Sequence, residues 1–263
     1  MSYSLSVLLG SLVGLSTGLS GAGGSLLAIP LLVYGLSFAP REAFATSLAA
    51  TGVACLVGVV PRMLAKQVEP RTGICFALAG MVGAPPGTWF AARISETVLL
   101  AALSILMFGV SIRMLQQSRQ RSPRSDSDSS ERQSGTWVIL VAGLATGFMS
   151  GTFGVGCGFV IVPAMVLLAG MNIHRAVGTA LLVMGIVSTT GAVSYFVSGR
   201  GLGAPVLSAL FIGGAAMGVV LGGLLANQMS AITLKRVFSA VIFSAAVLLI
   251  TRTFLFESFQ TRL

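Results

Sequence analysis

Two glycine-rich runs hold the residues best suited to chemistry. Gly14–Pro30 reads GLSTGLSGAGGSLLAIP and Gly147–Pro163 reads GFMSGTFGVGCGFVIVP. Glycine lets a helix unwind, and the N–H groups at the restart have no partner inside the helix. Together with the positive end of the helix dipole, such donors hold an anion without a formal charge. The candidate ligands are Gly21, Gly23, Gly24 and Ser25 in the first run, and Gly154, Gly156, Cys157 and Gly158 in the second. Close helix packing is the competing reading of the same glycines.

Hydroxyls and charges follow each run at matching places. Thr46, Ser47 and Thr179 fall early in the next apolar segment, where a hydroxyl can reach an oxyanion or a cation. The alternative is back-bonding to the preceding helical turn. Arg41–Glu42 aligns with His174–Arg175 near the segment starts. Arg41 and Arg175 could attract anions at the mouth of a site, and Glu42 and His174 are the titratable groups near it that could couple protons. Other chemistry finds little material. The dinucleotide fingerprint needs a preceding strand and a downstream acid, and neither accompanies GAGG or GVGCG. One histidine and seven acids, three of them within 116–135, are too few for an enzyme or metal centre. No cofactor and no metal are expected. Cys55, Cys75 and Cys157 lie in apolar segments without ligand spacing and read as reduced thiols.

These residues must be positioned by a repeated scaffold. A constant offset of 133 pairs Gly18 with Gly151, Gly21 with Gly154, Gly23 with Gly156, Pro30 with Pro163, Thr46 with Thr179 and Gly52 with Gly185. After a two-residue shift, Gly83-x-x-x-Gly87 matches Gly218-x-x-x-Gly222, a spacing that suits tight packing first. Internal duplication in a very apolar chain predicts a membrane transporter with two homologous halves around a shared site. The composition agrees: 55% hydrophobic residues, 9% charged, and a mean hydropathy of +0.94. The net charge of +9 sits at the ends of apolar runs, as membrane flanks do, so nucleic acid is not an expected partner. Met1–Ser6 lacks the basic start of a signal peptide.

The predicted fold class is an all-α polytopic membrane protein, with about eight spans in two four-helix halves. The halves are 1–115 and 136–263, joined by a hydrophilic linker at 116–135 rich in Ser, Arg and Asp. The first segment of each half is too long for one straight span: Leu5–Phe38 would extend about 50 Å as a helix. Both a kinked span and a re-entrant hairpin satisfy it. Four crossings per half make the repeats parallel, and a re-entrant segment makes them inverted. We take the parallel arrangement as the expectation. It puts eleven basic residues against five and so places both termini and the linker in the cytoplasm.

The paired glycine runs ending in Pro30 and Pro163, the elements Arg41–Leu48 and His174–Leu181, and the G-x-x-x-G third helices resemble the sulfite exporter TauE/SafE family, also called the 4-toluene sulfonate uptake permease family. The resemblance covers nearly the whole chain except the linker. It implies a bacterial inner-membrane carrier of sulfite, sulfonates or related sulfur-containing anions. The expected partner is a small anionic substrate, and H+ and Na+ are the candidate coupling ions. A passive anion channel and, less favoured, a membrane-embedded enzyme are the alternatives. Cys157 interrupts the second glycine cluster, and the linker is longer and more charged than a simple loop.

Overall fold

The computed structural model describes residues 2–20, 24–105, 109, 136–168, 170–171, 173–199 and 204–226. Gly21, Gly23, the 116–135 linker and the expected last span, Thr233–Phe254, lie outside the described residues. Within them the chain is helical and has no strand.

The elements follow from local chemistry. Pro40 and Pro70 each sit in the first turn of a long helix, where the missing N–H costs nothing and φ is preset. The residues before them, Ala39 and Glu69, are extended, as the proline ring demands. α1 is Ser2–Ser20 and α2 is Ser25–Pro30, which widens into a π turn over Leu31–Gly35. α3 is Pro40–Leu64, α4 is Pro70–Arg93 and α5 is Glu96–Ile105. α6 is Thr136–Phe153, α7 Gly158–Leu168, α8 Ile173–Val197 and α9 Pro205–Ala226. Four of them, α3, α4, α8 and α9, are long and apolar enough to cross a membrane. Leu8, Val82, Met217 and Leu221 stand on outer faces, more than half exposed, where a soluble protein would place polar side chains.

Helices from the two ends of the chain interlock. α1 packs on α9, α6 on α4, and α3 crosses α8. Gly10, Gly14 and Gly18 of α1 lie in turn against the carbonyls of Phe211, Ala215 and Val219. Gly143, Gly147 and Gly151 of α6 lie against those of Phe76, Gly80 and Ala84. The second set is the first shifted by 133 on one helix and 135 on the other, so the two interfaces correspond residue for residue. Gly83 and Gly87 against α6, and Gly218 and Gly222 against α1, complete the contact, as packing spacing predicts.

These contacts also fix direction. α1 runs parallel to α9, and α6 parallel to α4. α3 is parallel to α9, since Thr46 meets Ser208 and Gly58 meets Val219. At the centre, Gly52 abuts Thr189 and Gly185 abuts Leu56, so α3 and α8 are antiparallel. α1 and α3 therefore run one way and their counterparts α6 and α8 the other. The parallel arrangement expected from the sequence is corrected: counterpart helices are inverted. The reason lies in the glycine segments. α1 and α3 point the same way, so the chain between them has to return. Gly24 accordingly packs back on Thr17 and Val13 of α1, and Gly35 reaches Leu9.

Candidate functional site

The second glycine run folds into a turn at the α3–α8 crossing. α6 stops at Phe153, Gly154 takes φ +66° and Cys157 φ +46°, and α7 begins at Gly158. A left-handed Cys157 costs about 1 kcal/mol or more and persists only where the surroundings enforce it. They do, since Val155, Gly156 and Cys157 are all buried. A side chain at Gly154 would collide with Phe44 of α3. A β-carbon at Gly156 would come within 2.6 Å of Thr51 Cγ2, 3.0 Å of Ser188 Oγ and 3.1 Å of Met184 Cε. The turn is thus wedged between the central helices, beside the Gly52–Thr189 and Gly185–Leu56 contacts.

Its polar accounting is incomplete. Most helical hydroxyls here back-bond to the preceding turn: Thr17 to Val13 O, Thr146 to Ala142 O, Thr152 to Phe148 O, Thr189 to Gly185 O and Thr190 to Ile186 O. Ser47, Thr51 and Ser188 do not. Their hydroxyls are buried without a partner, as are those of Ser25 and Ser150. An unsatisfied buried hydroxyl costs roughly 1–3 kcal/mol, so such a cluster calls for a function. Phe44, Ser47 and Thr51 share one face of α3 at helical spacing. Ser47 therefore lies between the residue that flanks Gly154 and the one that flanks Gly156. Across the turn, the N–H groups of Val160 and Ile161 both bond to Cys157 O, and the N–H groups that open α7 before them have no acceptor in the preceding turn of their own helix. The arrangement offers hydroxyls and backbone N–H groups with no acid beside it among the described residues, a donor set suited to an oxyanion.

The other sequence candidates lie elsewhere. Gly24 and Ser25 open α2, with Ser25 buried. Thr46 Oγ1 is 3.3 Å from Ser208 Oγ, and Thr179 Oγ1 accepts the N–H of Glu69 at 2.9 Å, just before α4. These two matched threonines thus brace the starts of α9 and α4, on the far side of their helices from the turn. Arg41 Nε is 3.2 Å from Glu96 Oε1, on one face of the helix set, and Glu42 is exposed there. His174 and Arg175 fall in the first turn of α8 on the opposite face, with Arg175 exposed. Among the described residues no cluster of His, Cys, Asp or Glu could hold a metal ion. Thr51 and Ser188 escaped the sequence reading. The available signal for Thr51 was its place one turn after Ser47, but Ser188 aligns with Cys55 and breaks the repeat.

A bundle of apolar helices, four of them long and apolar enough to cross a membrane, defines a polytopic membrane protein. The sulfite exporter TauE/SafE family matches residues 6–249, and the chain belongs to that family. It is 34% identical over 247 residues to a probable membrane transporter protein of Xylella fastidiosa, covering 93% of each chain. Over 224 residues it is 27% identical to the probable membrane transporter protein YunE of Bacillus subtilis, covering 76% of this chain and 80% of that one. No solved structure matches it. The protein is a membrane transporter, not an enzyme.

Proposed function

We propose that the chain is a secondary transporter of small sulfur-containing anions, sulfite or organosulfonates, in the bacterial inner membrane. The observation that carries this reading is the pair of unpartnered, buried hydroxyls of Thr51 and Ser188 around the left-handed turn before α7. A tetrahedral or pyramidal oxyanion takes several donors at once. The turn supplies hydroxyls from α3 and α8 and free N–H groups from the α7 start, which carries about half a positive charge. The family's name supports a sulfur oxyanion as cargo.

The site in this reading comprises Ser47, Thr51, Gly154, Gly156, Cys157, Gly158 and Ser188, near mid-membrane between the halves. Gly21, Gly23, Gly24 and Ser25 form its counterpart. Thr46 and Thr179 fix the third helices around it, and Arg41, Glu42, His174 and Arg175 stand at the mouths. The corresponding interfaces support descent from one duplicated unit, 1–115 and 136–263, in inverted orientation. Among the described residues, Arg62, Lys66, Arg71 and Arg175 share one face with one acid, Glu69, whereas Arg41 and Arg93 on the other are balanced by Glu42 and Glu96. The first face is therefore cytoplasmic, together with the basic linker. In this reading α1 starts on the opposite side.

Two measurements test the proposal. Counterflow in proteoliposomes with sulfite, thiosulfate, sulfate and methanesulfonate should show saturable exchange of at least one sulfur anion, driven uphill by an H+ or Na+ gradient. Flux that never saturates would make the protein a channel, and no flux would end the anion reading. In a Cys75→Ser background, Tyr3→Cys should label with an impermeant reagent in intact cells, and Ser125→Cys only after permeabilisation. Labelling of both on the same side would restore parallel halves.

A further inference from the structure

The two glycine breaks differ at one matched contact. Arg62, in the last turn of α3, donates Nη2 to Gly18 O at 3.2 Å. Tyr195, near the end of α8, donates its hydroxyl to Gly151 O at 3.2 Å. Residues 62 and 195, and residues 18 and 151, are related by the same offset of 133. This is therefore one contact made twice, by a cation in one half and by a neutral phenol in the other. Each acceptor lies in the last turn of the helix that precedes a break. Such carbonyls carry the negative end of the helix dipole and would repel an approaching anion. At α1 a guanidinium outweighs that field, a full positive charge against about half a negative one. At α6 the phenol satisfies the carbonyl but leaves the field in place.

Arg62 is half-buried and has no acidic partner among the described residues, where Arg41–Glu96 is the ion pair found. Its charge is thus unspent. It lies on the face that also carries Lys66, Arg71 and Arg175, while Tyr195 is buried toward the other. From this mismatch we infer that Arg62 is the charge-selecting residue of one entrance. The otherwise corresponding halves present an anion with a positively charged approach from the Arg62 face and a neutral one from the Tyr195 face. Affinity is therefore sided. The inference rests on the reading that the chain carries anions, and it adds which face binds them more tightly and through which residue. Arg62 here acts on the approaching charge and positions the end of α1. It is not placed among the donors at the Gly154–Gly158 turn.

The decisive substitution copies one half into the other. Arg62→Tyr keeps a hydroxyl donor for Gly18 O but removes the charge, whereas Arg62→Lys keeps the charge and loses the planar fork. KM is measured from each face, in right-side-out and inside-out vesicles, with the anion of the four-member panel that the wild type carries fastest. R62Y should raise KM from the Arg62 face about tenfold, the scale of one charge-assisted contact, and less than twofold from the other. R62K should stay within threefold of wild type on both faces. An unchanged KM in R62Y, equal rises on both faces, or an R62K loss as large as that of R62Y would each make Arg62 a tether only and overturn the inference. Should R62Y fail to insert, Arg62→Gln is judged on the same readout. Absence of wild-type flux would overturn the transport reading and this inference with it. Wild-type flux with an unaltered R62Y overturns this inference alone.

Discussion

The flanking helix pairs and the central crossing are built from the same small residues to opposite ends. In the α1–α9 and α4–α6 pairs, glycines at four-residue spacing bring backbone onto backbone, and hydroxyls such as Thr17, Thr146 and Thr152 return their protons to their own helix. Ser150 is the exception there, its buried hydroxyl being without a partner. At the α3–α8 crossing, glycines open a turn instead of closing a gap, and Thr51 and Ser188 keep unspent donors beside it. A glycine stripe is therefore structural where its neighbours are satisfied, and a candidate for function where they are not.

The harshest way to break this comparison is to fill a flanking pair. Gly14→Leu or Gly147→Leu would drive a side chain into the backbone of Ala215 or Gly80. A rigid backbone yields little, so overpacking should exceed its usual 1–3 kcal/mol. Both variants should lose the monodisperse peak in detergent gel filtration. A stable, folded Gly147→Leu would show that these interfaces are loose and that their glycines were free for another task.

A sharper cut separates stability from transport. Ser188→Ala and Thr51→Val remove hydroxyls that have no partner in the protein, so melting temperature should hold or rise slightly, since an orphaned group is lost. Substrate affinity should fall about tenfold in each, the worth of one good hydrogen bond to an anion. Thr152→Val, in the α4–α6 pair, should do the reverse. It loses contacts to Phe148 O and Gly87 O, lowering stability by about 1 kcal/mol with KM unchanged. If Ser188→Ala and Thr152→Val behave alike, the distinction between centre and flank fails.

How much of this could be read in the chain itself follows the same line. The offset of 133 identified the glycine breaks and the matched packing glycines, because a duplicated contact leaves a duplicated residue. It also paired Thr46 with Thr179, which proved to do the same job at α9 and α4. Direction was not legible: a kinked span and a returning hairpin have the same composition, and it takes contacts such as Gly24 on Thr17, Gly35 on Leu9 and Gly52 on Thr189 to separate them. Thr51 and Ser188 were hidden for the complementary reason. Their counterparts are Met184 and Cys55, so residues that break the repeat carry the donors, and a search for matches passes over them. Arg62 and Tyr195 were missed in the same way.

Thr179→Val probes the boundary between the two regions. The hydroxyl accepts the N–H of Glu69, next to the proline that opens α4. Its loss strands that donor and should cost about 1 kcal/mol of stability. KM should rise less than threefold, because the side chain faces α4 and not the turn. A tenfold loss of affinity at unchanged melting temperature would return Thr179 to the ligand set.

The smallest effect is expected at the rim. Arg41 meets Glu96 at 3.2 Å with both side chains more than a third exposed, at 37% and 40%. Solvent screens such a pair, and exposed ion pairs contribute about 0–1 kcal/mol. Helix ends near the membrane surface also let both side chains reach water when the pair is broken. Arg41→Gln should therefore leave melting temperature within about one degree of wild type, an exposed pair being worth so little. Its KM should shift less than twofold at physiological salt, where a lone rim charge acts over a Debye length of only about 8 Å. The size of any shift should grow as salt is lowered, since only long-range attraction is being removed. If Arg41→Gln instead abolishes binding while Ser188→Ala and Thr51→Val transport normally, the anion is held by the charged rim. The unspent hydroxyls at the α3–α8 crossing would then need another explanation.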